Sequence, residues 1–295
     1  MNAPNYHLKI TDYIQKVKER SSNFLGYPVS IDFEFNELYE LLSYPLNNLG
    51  DPLIESTYDL NSRSIEREVV KFFADIFQAP SDNFWGYVTN GGSEGNLYAL
   101  YVARELYPQA MVYYSEATHY SIQKNIHLLN MPSIVIRSQD NGEIDYEDLK
   151  ENIQLHRHQP VIIIANIGTT MTEAKDDISK IKEVLKKSAI KNHYIHCDAA
   201  LAGVYSALLD LEPKFSFNEG ADSVAISGHK FIGSPIPCGV VIVKKSYKER
   251  IGRIIPYIGT SDTTISGSRN GHSPIFLWYA INKYGLEGLK NRAKK

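Results

Sequence analysis

The chain has 295 residues, of which 43% are hydrophobic and 22% are charged, as is typical of globular proteins and unlike disordered or fibrous chains. Its formal net charge of −3 gives no general attraction to nucleic acid, so we expect no nucleic-acid partner. No run of about 18 apolar residues is present, so no segment is expected to cross a membrane.

Residues 1–60 lack the alternation of a sheet and are predicted to form an N-terminal arm that packs on another surface, such as that of a partner subunit. A polar helix is expected over Leu8 to Arg20. The turn-forming clusters Gly26-Tyr27-Pro28 and Asn47 to Pro52 follow it. From Ser64 to Phe77 the apolar residues fall at helical spacing, which predicts an amphipathic helix.

After Pro80 the chain alternates between short apolar segments and helix-length segments. Repeated β/α units of this kind predict an α/β fold with a mostly parallel seven-stranded sheet and helices on both faces. The turn at Pro237-Cys238-Gly239 indicates that the last strand returns antiparallel. The predicted strands are Trp85 to Thr89, Met111 to Tyr114, Ile134 to Ile136, Val161 to Ala165, Tyr194 to His196, Val224 to Ile226 and Val240 to Val243. The predicted helices are Glu94 to Leu106, Tyr120 to Leu129, Tyr146 to Gln154 and Ile178 to Lys187.

These patterns divide the chain into three parts. Residues 1–60 form the arm, and residues 61–273 form one large domain that contains the predicted sheet. Residues 274–295 begin a further unit, because a new helix is expected over Ile275 to Ile281 after Pro274. Neither an internal repeat nor a low-complexity segment interrupts this order, so we expect one large folded unit with appendages.

The stretch Thr89 to Asn96 lies between a predicted strand and a predicted helix. Backbone N–H groups at the start of a helix, together with the helix dipole, can bind a phosphate. Gly91 and Gly92 would let the backbone approach such a ligand closely. The alternative is a tight turn in which Ser93 caps the helix. A Walker-type loop is excluded because no Gly-Lys-Ser/Thr follows.

Polar groups also follow the next predicted strands. His119 comes just after the second strand, where its imidazole could stack on a planar ring or simply begin the next helix. The segment Asn166 to Thr170 ends a later strand, and the Thr170 hydroxyl can bond to a cofactor oxygen or a substrate carboxylate, although threonine is also a common helix cap. Asp198 ends the strand after that. The carboxyl ends of parallel strands meet at one edge of a sheet, so these groups are expected to surround one ligand.

A lysine follows the predicted strand Val224 to Ile226, in the stretch Ser227 to Lys230. A lysine amine can form a Schiff base with the aldehyde of pyridoxal phosphate, and a carboxylate such as that of Asp198 can keep the pyridine nitrogen protonated. These are the two groups that this cofactor requires. Taken alone, a lysine in such a stretch is most often a surface residue, so the prediction depends on the other motifs.

The two cysteines have neither metal-binding nor disulfide spacing, and the N-terminus lacks the pattern of a signal peptide, which together favour a cytoplasmic location. Two close pairs of histidines lack a matching third ligand, so no metal site is predicted. The cysteines are Cys197 and Cys238, and the histidine pairs are His156 with His158 and His193 with His196.

Together these motifs resemble those of the group II pyridoxal-phosphate-dependent amino acid decarboxylases, within the branch of bacterial histidine decarboxylases and plant-type serine decarboxylases. The resemblance extends from about residue 25 to the end of the chain, and the motifs in combination are highly specific. It implies the fold of the fold-type I pyridoxal-phosphate-dependent transferases. The matching stretches are Gly86 to Asn96, the segment around His119, Asn166 to Thr170, His196 to Ala200, Ser227 to Lys230 and Gly267 to His272.

The resemblance implies that Lys230 forms the Schiff base with pyridoxal 5′-phosphate and that Asp198 pairs with its pyridine nitrogen. It further implies that Ala200 lies under the ring, with His119 stacked on the other face. Thr170 is expected near the phenolic oxygen or the substrate carboxylate. The residues expected around the phosphate are Gly92, Ser93, Ser227 and His229.

The resemblance also implies an obligate homodimer with its active site at the subunit interface, because Ser268 would reach the phosphate of the neighbouring subunit. Residues 61–273 would be the domain that binds the cofactor. Tyr257 is a candidate for the group that protonates Cα after decarboxylation, and a packed aromatic is the alternative. Family members continue past the position of Lys295 into a small C-terminal domain, so residues 274–295 are expected to begin a truncated domain, which puts activity in doubt.

The implied reaction is decarboxylation of an L-amino acid, most simply of L-histidine to histamine and carbon dioxide. Asn47 to Ser56 resembles the serine-decarboxylating members, whereas Gly91-Gly92 and Ser234 to Gly239 resemble the histidine-decarboxylating ones. Decarboxylation of L-serine to ethanolamine is therefore one alternative. The others are an aminotransferase or lyase that uses the same cofactor, and a catalytically impaired, truncated homologue that acts as an interaction protein.

Overall fold

The structure is a computed structural model that describes residues 4–55, 58–255 and 260–295. A 3-10 helix at Asn36–Ser43 lies between the first two α-helices. The α-helices are α1 (Pro4–Ser21), α2 (Arg63–Ile76), α3 (Gly92–Leu106), α4 (Tyr120–Leu128), α5 (Tyr146–Leu155), α6 (Ile178–Lys187), α7 (Gly203–Leu208), α8 (Lys245–Lys248) and α9 (His272–Ala293). The strands are β1 (Phe84–Thr89), β2 (Met111–Ser115), β3 (Ser133–Ile136), β4 (Val161–Asn166), β5 (His193–Asp198), β6 (Ser223–Ser227), β7 (Gly239–Lys244), β8 (Arg253–Ile255) and β9 (Thr260–Asp262).

Seven of these strands form one sheet in the order β1-β7-β6-β5-β4-β2-β3, and β8 pairs with β9 in a separate hairpin. The strands from β2 to β6 pair in parallel, which confirms the predicted α/β fold. β7 runs antiparallel to β6, as the turn before it indicated. β1 is also antiparallel to β7, and nothing in the sequence had indicated this pairing.

The central strands are buried on both faces, since consecutive side chains of a strand point to opposite sides and nearly every residue of β4 and β5 is buried. Along β4, Ile163 faces a core that is shared with α2, α6 and α9. Ile162 and Ile164 face a second core that is shared with α3 and α4. Full burial of one such side chain contributes about 1.5–3 kcal/mol. The uninterrupted apolar runs of the central strands are therefore what this two-sided packing requires.

The pairing of β4, β5 and β6 brings their carboxyl ends to one edge of the sheet. Asn166, the last residue of β4, lies opposite Asp198, the last residue of β5. Asp198 in turn lies opposite Ala225 of β6, two residues before that strand ends. Since α3 also begins at this edge, directly after β1, polar groups from several distant parts of the sequence converge there.

A buried carboxylate joins the N-terminal arm to the rest of the protein. Glu66, on α2, accepts hydrogen bonds from the backbone N–H of Val88 at 2.8 Å and from Nδ2 of Asn48 at 2.9 Å. It also forms an ion pair with Arg269, which lies just before α9. Both members of this pair are buried. Removing either one would leave the other charge buried without its partner, which is strongly destabilising.

The last helix is longer than predicted and begins three residues earlier. α9 runs from His272 to Ala293 and packs against α2 and α7. Its backbone is interrupted at Gly285, where φ is 59° and ψ is 177°. Because the apolar spacing ends near Ile281, the remaining turns had no periodic signal. The division of the chain into residues 1–60, 61–273 and 274–295 stays a prediction.

No helix in the described ranges combines the length and the apolar character needed to cross a bilayer.

Asp176 is a buried carboxylate that fixes the loop after β4. It accepts hydrogen bonds from Ile144 N and Asn166 N, each at 2.7 Å, and from Asn166 Nδ2 at 2.9 Å. Burial raises the pKa of Asp176 to about 6, against the effect of these donors. The folded protein therefore holds this proton more tightly than the unfolded chain does. The part of the stability that comes from binding this proton is full below the unfolded pKa and is lost as the pH rises through about 6.

We expect Asp176→Asn to lower the free energy of unfolding by about 1–3 kcal/mol. The NH2 group of the asparagine would face an N–H donor from which the carboxylate accepts a hydrogen bond, and two donors cannot pair. Asp177→Asn is the matched control. Asp177 caps α6 by accepting hydrogen bonds from Ser179 N and Lys180 N, which an asparagine also accepts. Urea denaturation measures both variants, and equal losses would contradict the role given to Asp176.

Candidate active site

A cavity of about 400 Å3 lies at the carboxyl edge of the sheet, between the ends of the central strands and the start of α3. Most of the site residues predicted from the sequence meet in it. The predicted residues that line the cavity are Gly92, Ser93, His119, Thr170, Asp198, Ala200, Ser227, His229 and Lys230. The strand ends predicted to surround one ligand thus line one cavity, and the ligand itself stays a prediction.

Two predicted residues lie elsewhere. Tyr257 falls outside the described residues, so its expected role as a proton donor stays a prediction. Ser268 is exposed, does not line the cavity of its own chain, and accepts a hydrogen bond from Asn47 Nδ2 at 3.2 Å. Its expected contact with the phosphate in a neighbouring subunit also stays a prediction.

The start of α3 forms one wall of the cavity. Among the described residues, no acceptor pairs with the backbone N–H of Gly92 or Ser93, so both are available to an anion. Gly91 adopts a φ of 148°, which favours glycine. A Cβ atom at Gly92 would lie 2.8 Å from Ser227 Oγ and 3.1 Å from Ala200 Cβ. The turn can therefore pack this closely against Ser227 and Ala200 only because residue 92 has no side chain.

Asp198 supplies the buried negative charge of the site. Its Oδ2 accepts a hydrogen bond from Asn96 Nδ2 at 2.8 Å, and its Oδ1 accepts one from Ala200 N at 3.3 Å. Burial raises its pKa, while the backbone N–H of Ala200 and the charges of Lys230 and His119 act in the opposite direction. The two hydrogen bonds stabilise the ionised form, since both donors need an acceptor.

Lys230 lines the same cavity as this carboxylate. Burial lowers the pKa of its amine, and Asp198 partly offsets this effect. A lowered pKa increases the neutral fraction of the amine, which is the nucleophilic form. The backbone of Lys230 is fixed by the arm, because its carbonyl accepts a hydrogen bond from Ser30 N at 2.9 Å. A second hydrogen bond comes from Gly233 N at 3.1 Å.

His119 is both the first residue before α4 and a wall of the cavity, so the two interpretations of this histidine are compatible. Its Nδ1 accepts a hydrogen bond from Ser121 N at 3.3 Å and lies 2.8 Å from Ser121 Oγ. Nδ1 is therefore unprotonated, and Nε2 carries the proton of the neutral ring. Burial lowers the pKa of His119, so the ring is held neutral and suited to stacking on an aromatic ligand.

The loop that carries Thr170 is held by its own hydrogen bonds. The hydroxyl of Thr169 lies 2.7 Å from that of Thr172 and accepts a hydrogen bond from Ala174 N at 3.1 Å. The hydroxyl of Thr169 is therefore used inside the loop. The carbonyl of Thr170 accepts a hydrogen bond from the hydroxyl of Tyr27 at 2.9 Å, so the arm also reaches this side of the cavity.

Sequence reasoning gave no role to Asn96, Ser121 or Asn166, which also line the cavity. A signal for Asn96 was present, since it lies four residues after Gly92 and hence on the same face of α3. The other two residues act through contacts that spacing does not reveal. Ser121 holds the ring of His119, and Asn166 links β4 to Asp176.

A model of the family described as the pyridoxal-dependent decarboxylase conserved domain matches residues 54–295. A histidine decarboxylase of Mesorhizobium japonicum is 51% identical over 290 residues, which cover 98% of this chain and 79% of that protein. A histidine decarboxylase of Vibrio campbellii is 47% identical over 272 residues, or 92% of this chain and 70% of that protein.

Among solved structures, an L-methionine decarboxylase from Streptomyces sp. 590 superposes with a TM-score of 0.91 at 23% identity, over 99% of this chain and 77% of that one. A glutamate decarboxylase from Lactobacillus brevis superposes with a TM-score of 0.76 at 19% identity, over 97% of this chain and 70% of that one. At such low identity these structures establish the shared fold alone.

We expect Gly92→Ala to weaken binding of pyridoxal phosphate by about tenfold or more, because the added methyl group would crowd Ser227 and Ala200 at the phosphate turn. Gly252→Ala is the matched control, since a Cβ there meets other atoms no closer than 3.7 Å. Titration of the absorbance of bound cofactor measures both dissociation constants. Unchanged affinity in Gly92→Ala would contradict phosphate binding at the start of α3.

Proposed function

Because the chain belongs to the pyridoxal-dependent decarboxylase family, we propose that it removes the α-carboxylate of L-histidine to give histamine and carbon dioxide. It is a carboxy-lyase, and pyridoxal 5′-phosphate is its cofactor. The observation that carries the proposal is the single cavity that joins Lys230, Asp198 and His119 to the start of α3. Support for histidine as the substrate comes from the relatives that share 47–51% identity with most of this chain.

The residues of the cavity fit this cofactor group by group. The free N–H groups of Gly92 and Ser93, with Ser227 and His229, would hold the phosphate. Asp198 would hold the pyridine nitrogen, and Ala200 and His119 would lie on the two faces of the ring. Thr170 would lie near the phenolic oxygen or the substrate carboxylate. Lys230 would hold the aldehyde carbon through its amine.

When bound, pyridoxal phosphate supplies an electron sink that stabilises the negative charge left on Cα as carbon dioxide departs. The ionised Asp198 would keep a proton on the pyridine nitrogen, which would strengthen this effect. The neutral amine of Lys230 is available as a nucleophile and can later carry a proton. His119 excludes water from one face of the site and is held in place by Ser121.

The charges around the cavity favour decarboxylation over transamination. Among the described lining residues Lys230 is the one lysine, and no arginine is present. A guanidinium that neutralised the substrate carboxylate would stabilise the ground state, whereas the departing group becomes neutral carbon dioxide. The cavity thus lacks, within the described part of the chain, the arginine clamp that an aminotransferase usually needs.

We expect the protein loaded with pyridoxal phosphate to release histamine and carbon dioxide from L-histidine. Lys230→Ala should abolish this release and the trapping of cofactor by borohydride, since its amine is the group that would hold the cofactor. Lys191→Ala is the control, because Lys191 is exposed and remote from the cavity lining. Mass spectrometry identifies the amine. Ethanolamine from L-serine without histamine would reverse the substrate assignment, and oxo-acid without carbon dioxide would replace decarboxylation by transamination.

We also propose that the protein is a cytoplasmic homodimer whose active site includes Ser268 of the neighbouring subunit. Helix α1 supports the dimer, because Leu8, Tyr13 and Ile14 expose large apolar side chains on it. Two buried free thiols, with no disulfide between them, support a reducing compartment. Sedimentation equilibrium should give twice the chain mass of 33.4 kDa. A fully active species of single-chain mass would contradict the dimer.

A further inference from the structure

Behind Asp198, a continuous row of buried hydrogen bonds runs from the cavity into the sheet. Asn96 Nδ2 lies 2.8 Å from Asp198 Oδ2, and Asn96 Oδ1 lies 2.9 Å from His196 Nε2. His196 Nδ1 then lies 2.8 Å from Ser223 Oγ. Asn96, His196 and Ser223 are each no more than 1% exposed. Water therefore does not compete for these hydrogen bonds.

The chemistry of each group fixes where the protons lie when Asp198 is ionised. An ionised carboxylate only accepts, so Asn96 must turn its NH2 group toward Asp198 and its carbonyl toward His196. That carbonyl also only accepts, so His196 must carry its proton on Nε2. Nδ1 is then bare and accepts the hydroxyl proton of Ser223. Burial lowers the pKa of His196 to about 3, against the effect of the Ser223 backbone, and keeps the ring neutral with a single proton to place.

A second proton arrangement is possible, and it has the opposite consequence for Asp198. If His196 carried its proton on Nδ1, its bare Nε2 would accept from the NH2 group of Asn96. The carbonyl of Asn96 would then face Asp198, which would have to be protonated to donate to it. The tautomer of His196 and the charge of Asp198 are therefore coupled through the amide of Asn96.

We propose that Asn96 and His196 are positioning residues that hold Asp198 ionised and directed into the cavity. This inference rests on the proposed role of Asp198 at the pyridine nitrogen and goes beyond it, since it assigns a task to two residues further from the ligand. The row is built on the alternation of β5, where His196 and Asp198 lie two residues apart and so on the same face. Asn96 bridges to them from α3.

The hydrogen bond at the start of this row, from Asn96 to Asp198, opposes the effect of burial on the pKa of Asp198. Burial alone would favour the neutral acid, and the other titratable groups that act on Asp198 are Lys230 and His119. Both lie on the cavity side, where a substrate or cofactor changes their surroundings. Asn96, by contrast, donates from the interior side. Asn96 can therefore keep Asp198 ionised while the charges on the cavity side change. His196 is needed for this, because it prevents the amide of Asn96 from exchanging the positions of its oxygen and nitrogen.

The tautomer of His196 gives a direct test that does not depend on turnover. Ring 15N chemical shifts of the full chain, with and without pyridoxal phosphate, should report a protonated Nε2 and a bare Nδ1 between about pH 5 and pH 9. A proton on Nδ1 with a bare Nε2 would overturn the proposal. This measurement uses the wild-type protein, so it stands even if a variant fails to fold.

Variants of His196 then test whether this residue affects the ionisation of Asp198. His196→Leu removes the donor to Asn96, so we expect the acid limb of the pH–activity profile to move to higher pH and kcat/KM at neutral pH to fall by about tenfold or more. Affinity for pyridoxal phosphate should fall as well. His196→Gln should restore most of the lost kcat/KM and of the lost cofactor affinity, because the amide nitrogen of glutamine can occupy the place of Nε2. A purely structural role would predict no shift of the acid limb.

Asp198→Asn separates this inference from the function on which it rests. If Asp198→Asn is strongly impaired while His196→Leu keeps the wild-type acid limb and cofactor affinity, the positioning role is wrong. If Asp198→Asn keeps wild-type turnover, the proposed role of Asp198 itself is wrong, and the positioning role falls with it. Impairment of both variants, with rescue by His196→Gln, is the expected result.

Discussion

Parallel hydrogen bonding between β4, β5 and β6 is the constraint on which the rest of the structure depends. It sets the ends of the three strands side by side, so that Asn166 and Asp198 become neighbours although they are far apart in the sequence. Parallel strands need crossover connections, and the helices of those connections bury both faces of the sheet. The apolar strands and the polar edge are thus two results of one pairing pattern.

Burial acts on the charged groups of this edge in opposite directions. It raises the pKa of Asp198 and lowers the pKa of Lys230, so each group is moved toward its neutral form. The proposed chemistry of the site requires a neutral amine but an ionised carboxylate. Desolvation therefore favours the lysine without help, whereas the carboxylate needs donors such as Asn96 and Ala200 to remain charged.

Local patterns in the sequence were sufficient for the seven strands of the large sheet and most helices, because apolar runs and helical spacing are properties of neighbouring residues. They were also sufficient for the strand ends that line the cavity. The antiparallel pairing of β1 with β7 joins residues about 150 positions apart, so no local pattern reveals it. Strands β8 and β9 have three residues each, which is too few for a periodic signal. The contact of Asn96 with His196 joins residues 100 positions apart, so local patterns could not predict it. The alternation along the strand did show that His196 and Asp198 share one face.

The hydrogen bonds between the arm and the segment of Lys230 have a consequence for the order of folding. Ser30 and Phe231, for example, are separated by 201 positions. The arm leaves the ribosome before the segment of Lys230, which is synthesised about 200 residues later. Contacts of such long sequence separation form slowly, because a large loop must close before they gain anything. The backbone of Lys230 is therefore expected to be fixed only at a late stage of folding, after the sheet has formed.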